Sequence, residues 1–137
     1  MPTLFERIAA GEIPAHIVHE DDACFAFLDI NPVSRGHTLL VPREPAETLD
    51  QLSDDAAAAL GRALPRLTRA VMTATGCAGL NVLQNNGEAA GQVVPHVHIH
   101  LIPKYPDGTG LRKTWTPGDL HDATPLRDAI AAAVNAT

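Results

Sequence analysis

"GQVVPHVHIHLIPK", residues 91–104, places histidines at 96, 98 and 100, with Val97 and Ile99 between them and Leu101 after. Three of the chain's seven histidines therefore fall within five residues. On a helix, positions i, i+2 and i+4 point to different sides. On a strand, successive side chains alternate between faces, so all three imidazoles emerge on one side and Val97, Ile99 and Leu101 on the other. The segment predicts a strand with one core-facing side and one chemically loaded side.

Working outward, strand patterns recur. "HIVHE" and "ACFAFLD", joined across Glu20-Asp21-Asp22, predict a β-hairpin. Asn31-Pro32 and Arg35-Gly36 punctuate a loop before a third strand in "HTLLVP", and "LNVLQ" predicts a fourth. "TLFERIAAG" has the spacing of a short amphipathic helix that stops near Gly11. Ser53 is placed to cap a long Ala- and Leu-rich helix running to Gly76, with Asp54 and Asp55 at its positive end. Thr124-Pro125 predicts an N-cap and first turn of a C-terminal helix. The expected architecture is α+β: an antiparallel five-stranded sheet with one long helix and a C-terminal helix, in a single domain spanning 1–137.

Composition narrows the function classes. At 45% apolar residues, 137 residues can bury a core, and a formal charge of −6 argues against a dedicated nucleic-acid binder. A local pocket can still be positive, so a small anionic ligand stays open. Cys24 and Cys77 form no CxxC pair. The N-terminus has acidic residues and no long apolar run, which predicts neither signal peptide nor membrane span, and a cytoplasmic setting follows.

Three histidines in register admit two chemistries. Neighbours lie about 7 Å apart along a strand and the outer pair about 13 Å. Two could share a zinc at about 2.1 Å, but a third converges poorly, and a further ligand from elsewhere is required. Alternatively, one imidazole attacks phosphorus through a free nitrogen while its other N–H is held by an acceptor. Its neighbours then supply protons or charge to the phosphate oxygens.

"HVHIHLIP" resembles the signature of the histidine triad (HIT) superfamily, His-φ-His-φ-His-φ-φ with φ apolar. "FERIAAGEIPAHIVHEDDACFAFLDINPVSRGHTLLVP" and "GLNVLQNNGEAAGQVVPHVHIHLIPKY" are similar to the two halves of its Hint and bacterial Hit branch. The resemblance implies a homodimer of nucleotide-binding protomers that cleaves at the α-phosphate through a nucleotidyl-histidine intermediate. By position it implies His98 as nucleophile, supported by His96 and His37. It implies phosphate contacts from His100, Asn85 and the backbone N–H groups of Gly91, Gln92 and Val93. Asp29 matches the ribose-binding carboxylate, and Phe5, Ile8, Phe27, Ile30 and Leu39 the walls of the base pocket. His16, His19 and His121 match no functional position, and no role is transferred to Trp115.

Two departures stand out. Many bacterial relatives hold a structural zinc with an N-terminal Cys-x-x-Cys, a histidine after "VPK" and the first triad histidine; here Thr3, Glu6 and Pro45 occupy the first three positions. The resemblance thus implies no metal and no cofactor. Val93 stands where the family usually has Ser or Thr, whose hydroxyl aids the leaving group. The implied activity is that of a nucleotide hydrolase most like a purine nucleoside phosphoramidase. The galactose-1-phosphate uridylyltransferase branch replaces the third histidine with glutamine, and His100 is intact. Dinucleoside polyphosphate hydrolysis is the alternative reaction, and a nucleotide-binding regulator with weak catalysis the alternative class.

Overall fold

A computed structural model describes residues 2–112 and 115–137. In chain order the elements are α1 (Leu4–Ala9), β1 (Ile17–Glu20), β2 (Cys24–Leu28), β3 (Thr38–Pro42), α2 (Asp54–Thr75), β4 (Gly79–Gln84), β5 (Ile99–Lys104) and α3 (Ala123–Asn135). The five strands form one antiparallel sheet in the order β1-β2-β3-β5-β4. This is the α+β architecture expected from the sequence.

Strand alternation sorts the core into two layers. Cys24, Ala26, Leu40, Val97 and Leu101 point to the face covered by α2, whose buried stripe is Ala56, Ala59, Leu60, Ala63, Leu67 and Val71. Phe25, Phe27, Leu39 and Val41 point to the other face, where α1 contributes Phe5 and Ile8. The hydroxyl of Ser53 accepts from the Ala56 N–H at 3.2 Å, and Gly76 closes α2 in the left-handed conformation (φ 64°). Pro65 interrupts its ladder at an exposed position, leaving the Gly61 carbonyl on the solvent side.

Gly36, immediately before His37, shows how tightly the β2–β3 loop abuts the end of α2. A Cβ there would sit 2.5 Å from Thr75 Cγ2, and φ is +90°. Only glycine meets both demands.

Two boundaries differ from expectation. α3 opens at Ala123 with Asp122 as N-cap, so Thr124 and Pro125 lie inside its first turn. The first four helical N–H groups have no intrahelical acceptor, so proline costs little there. None of the residues of α3 is buried; Leu126, Ile130 and Val134 form an exposed apolar row. The second difference concerns the triad: regular pairing starts at Ile99, so only His100 lies on β5 proper. No helix among the described residues is long and apolar enough to cross a membrane.

Candidate active site

The late start of β5 has a local cause. Pro95 offers no N–H, and the imidazoles take carbonyls that a ladder would otherwise use. His96 Nε2–H donates to Pro42 O, the end of β3, at 2.8 Å, and His98 Nδ1–H donates to His96 O at 2.7 Å. The Val97 N–H turns to Ala46 O instead. Residues 94–98 are thus a bent segment, with the His96 N–H bonded back to Val94 O, pinned by its own histidines. The predicted face survives this irregularity. Phe5 lies edge-on to His96 and His98, with centroids 5.9 and 4.9 Å away, and His98 is 4.9 Å from His100.

His98 is 6% exposed. With Nδ1 donating, its Nε2 carries a lone pair and has no hydrogen-bond partner among the described residues. Two further bonds set the tautomers beside it. The Val33 N–H donates to His37 Nδ1 at 3.0 Å, so His37 carries its proton on Nε2 and donates it to His100 Nδ1 at 2.9 Å. His100 therefore presents an Nε2–H donor. Asp29 Oδ2 lies 3.6 Å from His37 Nε2, while its Oδ1 accepts from the Asn31 N–H at 2.8 Å. Each carboxylate oxygen retains a lone pair for a ligand hydroxyl.

Burial keeps this row neutral. The pKa of His98 is lowered chiefly by burial, against the opposing hydrogen bond to the His96 carbonyl, and the neighbouring His96 imidazole lowers it further. His100 is lowered to about 4 by burial, then by the neighbouring His98 and His37. His37 is lowered by burial against the opposing attraction of Asp29. An uncharged imidazole with a free nitrogen is a competent nucleophile.

The row opens into a cavity of about 500 Å³. Of the residues predicted for the site, His37, His98, His100, Asn85, Asp29, Ile30, Phe5, Ile8, Phe27, Leu39, Gly91 and Val93 line it. His96 and Gln92 do not. His96 is 1% exposed behind the row. Gln92 turns its side chain into the loop, where it accepts from the Gly87 N–H and donates to Glu47 O and Val94 O. The backbone expectation is also narrowed. The N–H groups of Gly91 and Gln92 are already bonded to Glu88 O and Gly87 O, as the turn at Glu88–Ala90 closes. Among the three, that of Val93 alone has no acceptor among the described residues and stays available to an anion. The Val93 side chain is 89% exposed at the rim.

Sequence reasoning missed several contributors. The Val33 N–H, which fixes the His37 tautomer, leaves no trace in side-chain identity. Ile13, Pro14, Ala15, Leu83 and Val94 are among the further apolar lining residues. Thr3 and Glu6 form a capping box, with Thr3 Oγ1 accepting from the Glu6 N–H and the Thr3 N–H donating to Glu6 Oε1. That signal was present as Thr-x-x-Glu ahead of an apolar pattern.

The zinc set implied by the family does not fit these residues. Pro45 has no ligand atom, and Thr3 and Glu6 are committed to capping α1. Elsewhere, Asp29, His37 and His100 bring ligand atoms within 4.8 Å of one another, as do His19, Asp21 and Cys24. In the first group, the two imidazoles are already hydrogen-bonded to each other. In the second, the carboxylate of Asp21 is engaged by two backbone N–H groups and His19, and burial raises the Cys24 thiol to about 11.

Comparison with known proteins agrees with this geometry. Residues 10–107 match the family model described as the HIT domain. The Bacillus subtilis protein named "Protein hit" is 43% identical over 112 residues, covering 82% of this chain and 77% of that one. The adenosine 5'-monophosphoramidase of Schizosaccharomyces pombe is 41% identical over 115 residues, 84% of each chain. A crystal structure of a HIT-family member from Bacillus subtilis superposes with a TM-score of 0.90 at 38% identity, covering 96% of each chain. The chain belongs to the HIT family.

Proposed function

We propose that this protein is a nucleotide hydrolase acting at the α-phosphate of purine nucleoside 5'-phosphoramidates or related conjugates. One observation carries the reading: a buried, neutral His98 whose Nδ1–H is held by a carbonyl and whose Nε2 lone pair faces a nucleoside-sized cavity. Apolar walls with few polar anchors suit a nucleoside. The amidase name of the Schizosaccharomyces pombe relative supports the substrate class.

In this mechanism the apolar side chains hold the base and Asp29 accepts from the ribose hydroxyls. The His100 Nε2–H, Asn85 and the Val93 N–H hold the phosphate oxygens. The Nε2 lone pair of His98 forms the N–P bond as the P–N bond to the leaving amine breaks, and the amine departs with a proton delivered by water or by the His100 Nε2–H, which the water of the second step gives back. Water then cleaves the nucleotidyl-histidine, releasing the nucleoside monophosphate and restoring His98. The charge developing on phosphate is met by donors already in place.

A second reading, a nucleotide-binding regulator with slow turnover, draws on Val93, which brings no hydroxyl to the leaving group. We also propose a cytoplasmic homodimer, without nucleic-acid or membrane partners. The unpaired outer edge of β4 supports the pairing, and a monomer mass at all concentrations in sedimentation would refute it. The functional test is acid-quenched mass spectrometry of protein turning over adenosine 5'-phosphoramidate. The expected result is an added nucleotidyl mass on the peptide containing His98. Turnover with no such adduct, and no burst of amine release, would overturn the covalent mechanism; tight binding without turnover would favour the regulator.

A further inference from the structure

The misfit at the zinc positions leaves a question: what holds His96, buried behind the nucleophile, where relatives use metal? Its Nε2–H is bonded to Pro42 O, and its Nδ1 lies 3.1 Å from Thr3 Oγ1. That hydroxyl accepts from the Glu6 N–H at 3.2 Å, and its proton has His96 Nδ1 as its partner. A neutral imidazole that donates through Nε2 accepts through Nδ1, so the arrangement satisfies every atom.

We propose that Thr3 is a positioning residue for the nucleophile, a hydrogen-bonded latch standing where relatives place metal ligands. The inference rests on the proposed covalent role of His98. The Thr3 hydroxyl fixes one edge of the His96 ring and the Pro42 carbonyl fixes the other. The His96 backbone carbonyl in turn accepts from His98 Nδ1–H, and that bond leaves the Nε2 lone pair of His98 free to attack. The latch also ties the pocket to the chemistry. Thr3 caps the helix that carries Phe5, whose ring stands edge-on to both His96 and His98. At 1% exposure, solvent does not substitute for a lost donor at His96 Nδ1.

A helix cap alone would stabilise α1 and leave the chemical step untouched, so the test separates the two roles. Thr3→Val keeps the shape and removes both cap and donor; Thr3→Ser keeps both; Arg7→Gly weakens α1 from an exposed position and keeps the donor, whereas Glu6 is no clean control because its Oε1 lies 4.0 Å from His96 Nδ1. The expected result is a loss of roughly tenfold in kcat for Thr3→Val, the scale of one hydrogen bond, with KM changed less than kcat. Serine should restore it, and Arg7→Gly should leave kcat near wild type. Imidazole nitrogen NMR supplies a readout independent of turnover: wild-type His96 should show a proton-free, hydrogen-bonded Nδ1, and Thr3→Val should move that resonance toward an unbonded nitrogen. A proton on Nδ1 in the wild-type protein would overturn the latch even if the valine variant failed to fold. So would an unchanged kcat in folded Thr3→Val, or an equal kcat loss in Arg7→Gly. Absence of any nucleotidyl-His98 adduct would instead refute the covalent reading, with the NMR result still deciding the latch.

Discussion

The two faces of the sheet are built from the same strands and do opposite things. Toward α2, a 22-residue helix lays a continuous stripe over Cys24, Ala26, Leu40, Val97 and Leu101 and closes the layer with aliphatic side chains. Toward α1, six helical residues cover only part of Phe27 and Leu39, and the uncovered part is the cavity. The polar groups buried there, His37, His96 and His98, are each hydrogen-bonded. One face is closed over its centre by α2 and serves stability; the other is left partly open along the histidine row. Alternation along β3 and β5 lets one register serve both, with Leu39 opposite His100 and Leu40 opposite Ile99.

The comparison breaks most sharply at the nucleophile. His98→Asn should lower turnover by about a thousandfold or more while nucleotide affinity stays near wild type, because the cavity walls remain and the attacking lone pair does not. Calorimetric binding of adenosine monophosphate beside a turnover assay checks it. Turnover within tenfold of wild type would remove His98 from its proposed role. On the opposite face, Leu101→Ala should cost about 2–5 kcal/mol of stability, read as a shift in the urea midpoint. Its kcat, measured where the variant is still folded, should change little. A large kcat loss in folded Leu101→Ala would mean that the faces are not separable.

The open face should also carry the acid sensitivity. His98, His100 and His37 all have folded-state pKa values below the ordinary 6.5, with His100 at about 4. Between those values and 6.5 the unfolded chain binds more protons, so stability is full above about pH 6.5 and falls as pH drops toward 4. For His100 the loss is at most on the order of 3 kcal/mol. The acid limb of kcat/KM should lie below pH 6.5 for the same reason, since His98 stays neutral there. Urea midpoints that are flat from pH 7 to 4.5, or an acid limb above 6.5, would contradict this.

How much was legible beforehand follows the same division. The α2 face was readable because long periodic patterns dominate it: Ser53, Gly76 and the aliphatic spacing between them gave α2 its ends, and alternation gave each strand its inward side. On the other face, the sequence named most of the expected site residues that line the cavity but not their bonds. Nothing in "HVHIH" announces that its imidazoles will capture Pro42 O and His96 O and delay the ladder to Ile99. Nor does the identity of Val33 reveal that its N–H fixes a tautomer. The backbone N–H of Gln92 was expected at the phosphate from the resemblance, yet it is bonded to Gly87 O, and the side-chain amide spans the loop and ties it to Glu47 O. Backbone hydrogen bonding decides these points, and side-chain patterns do not encode it.

The smallest effect belongs to Val93, at the rim where the open face meets solvent. An amine leaves phosphorus readily only when it gains a proton, and a nearby hydroxyl can relay or orient that proton. Valine supplies none, while the Val93 backbone N–H stays available to the phosphate. Replacing Val93 with Thr should therefore raise turnover on amine leaving groups and change it little on acidic phenol esters, which depart without help. The scale is one hydrogen bond, about 1 kcal/mol, or roughly a factor of ten at most. At 89% exposure the new hydroxyl is hydrated before substrate arrives, which removes the desolvation penalty of a dry site and holds the stability change within about 0.5 kcal/mol. That same hydration lets water compete for the relay, so the gain should sit toward the lower end of the range. Equal responses on amine and phenol substrates would mean that Val93 acts only as a wall of the cavity and that the proton comes from His100 or water.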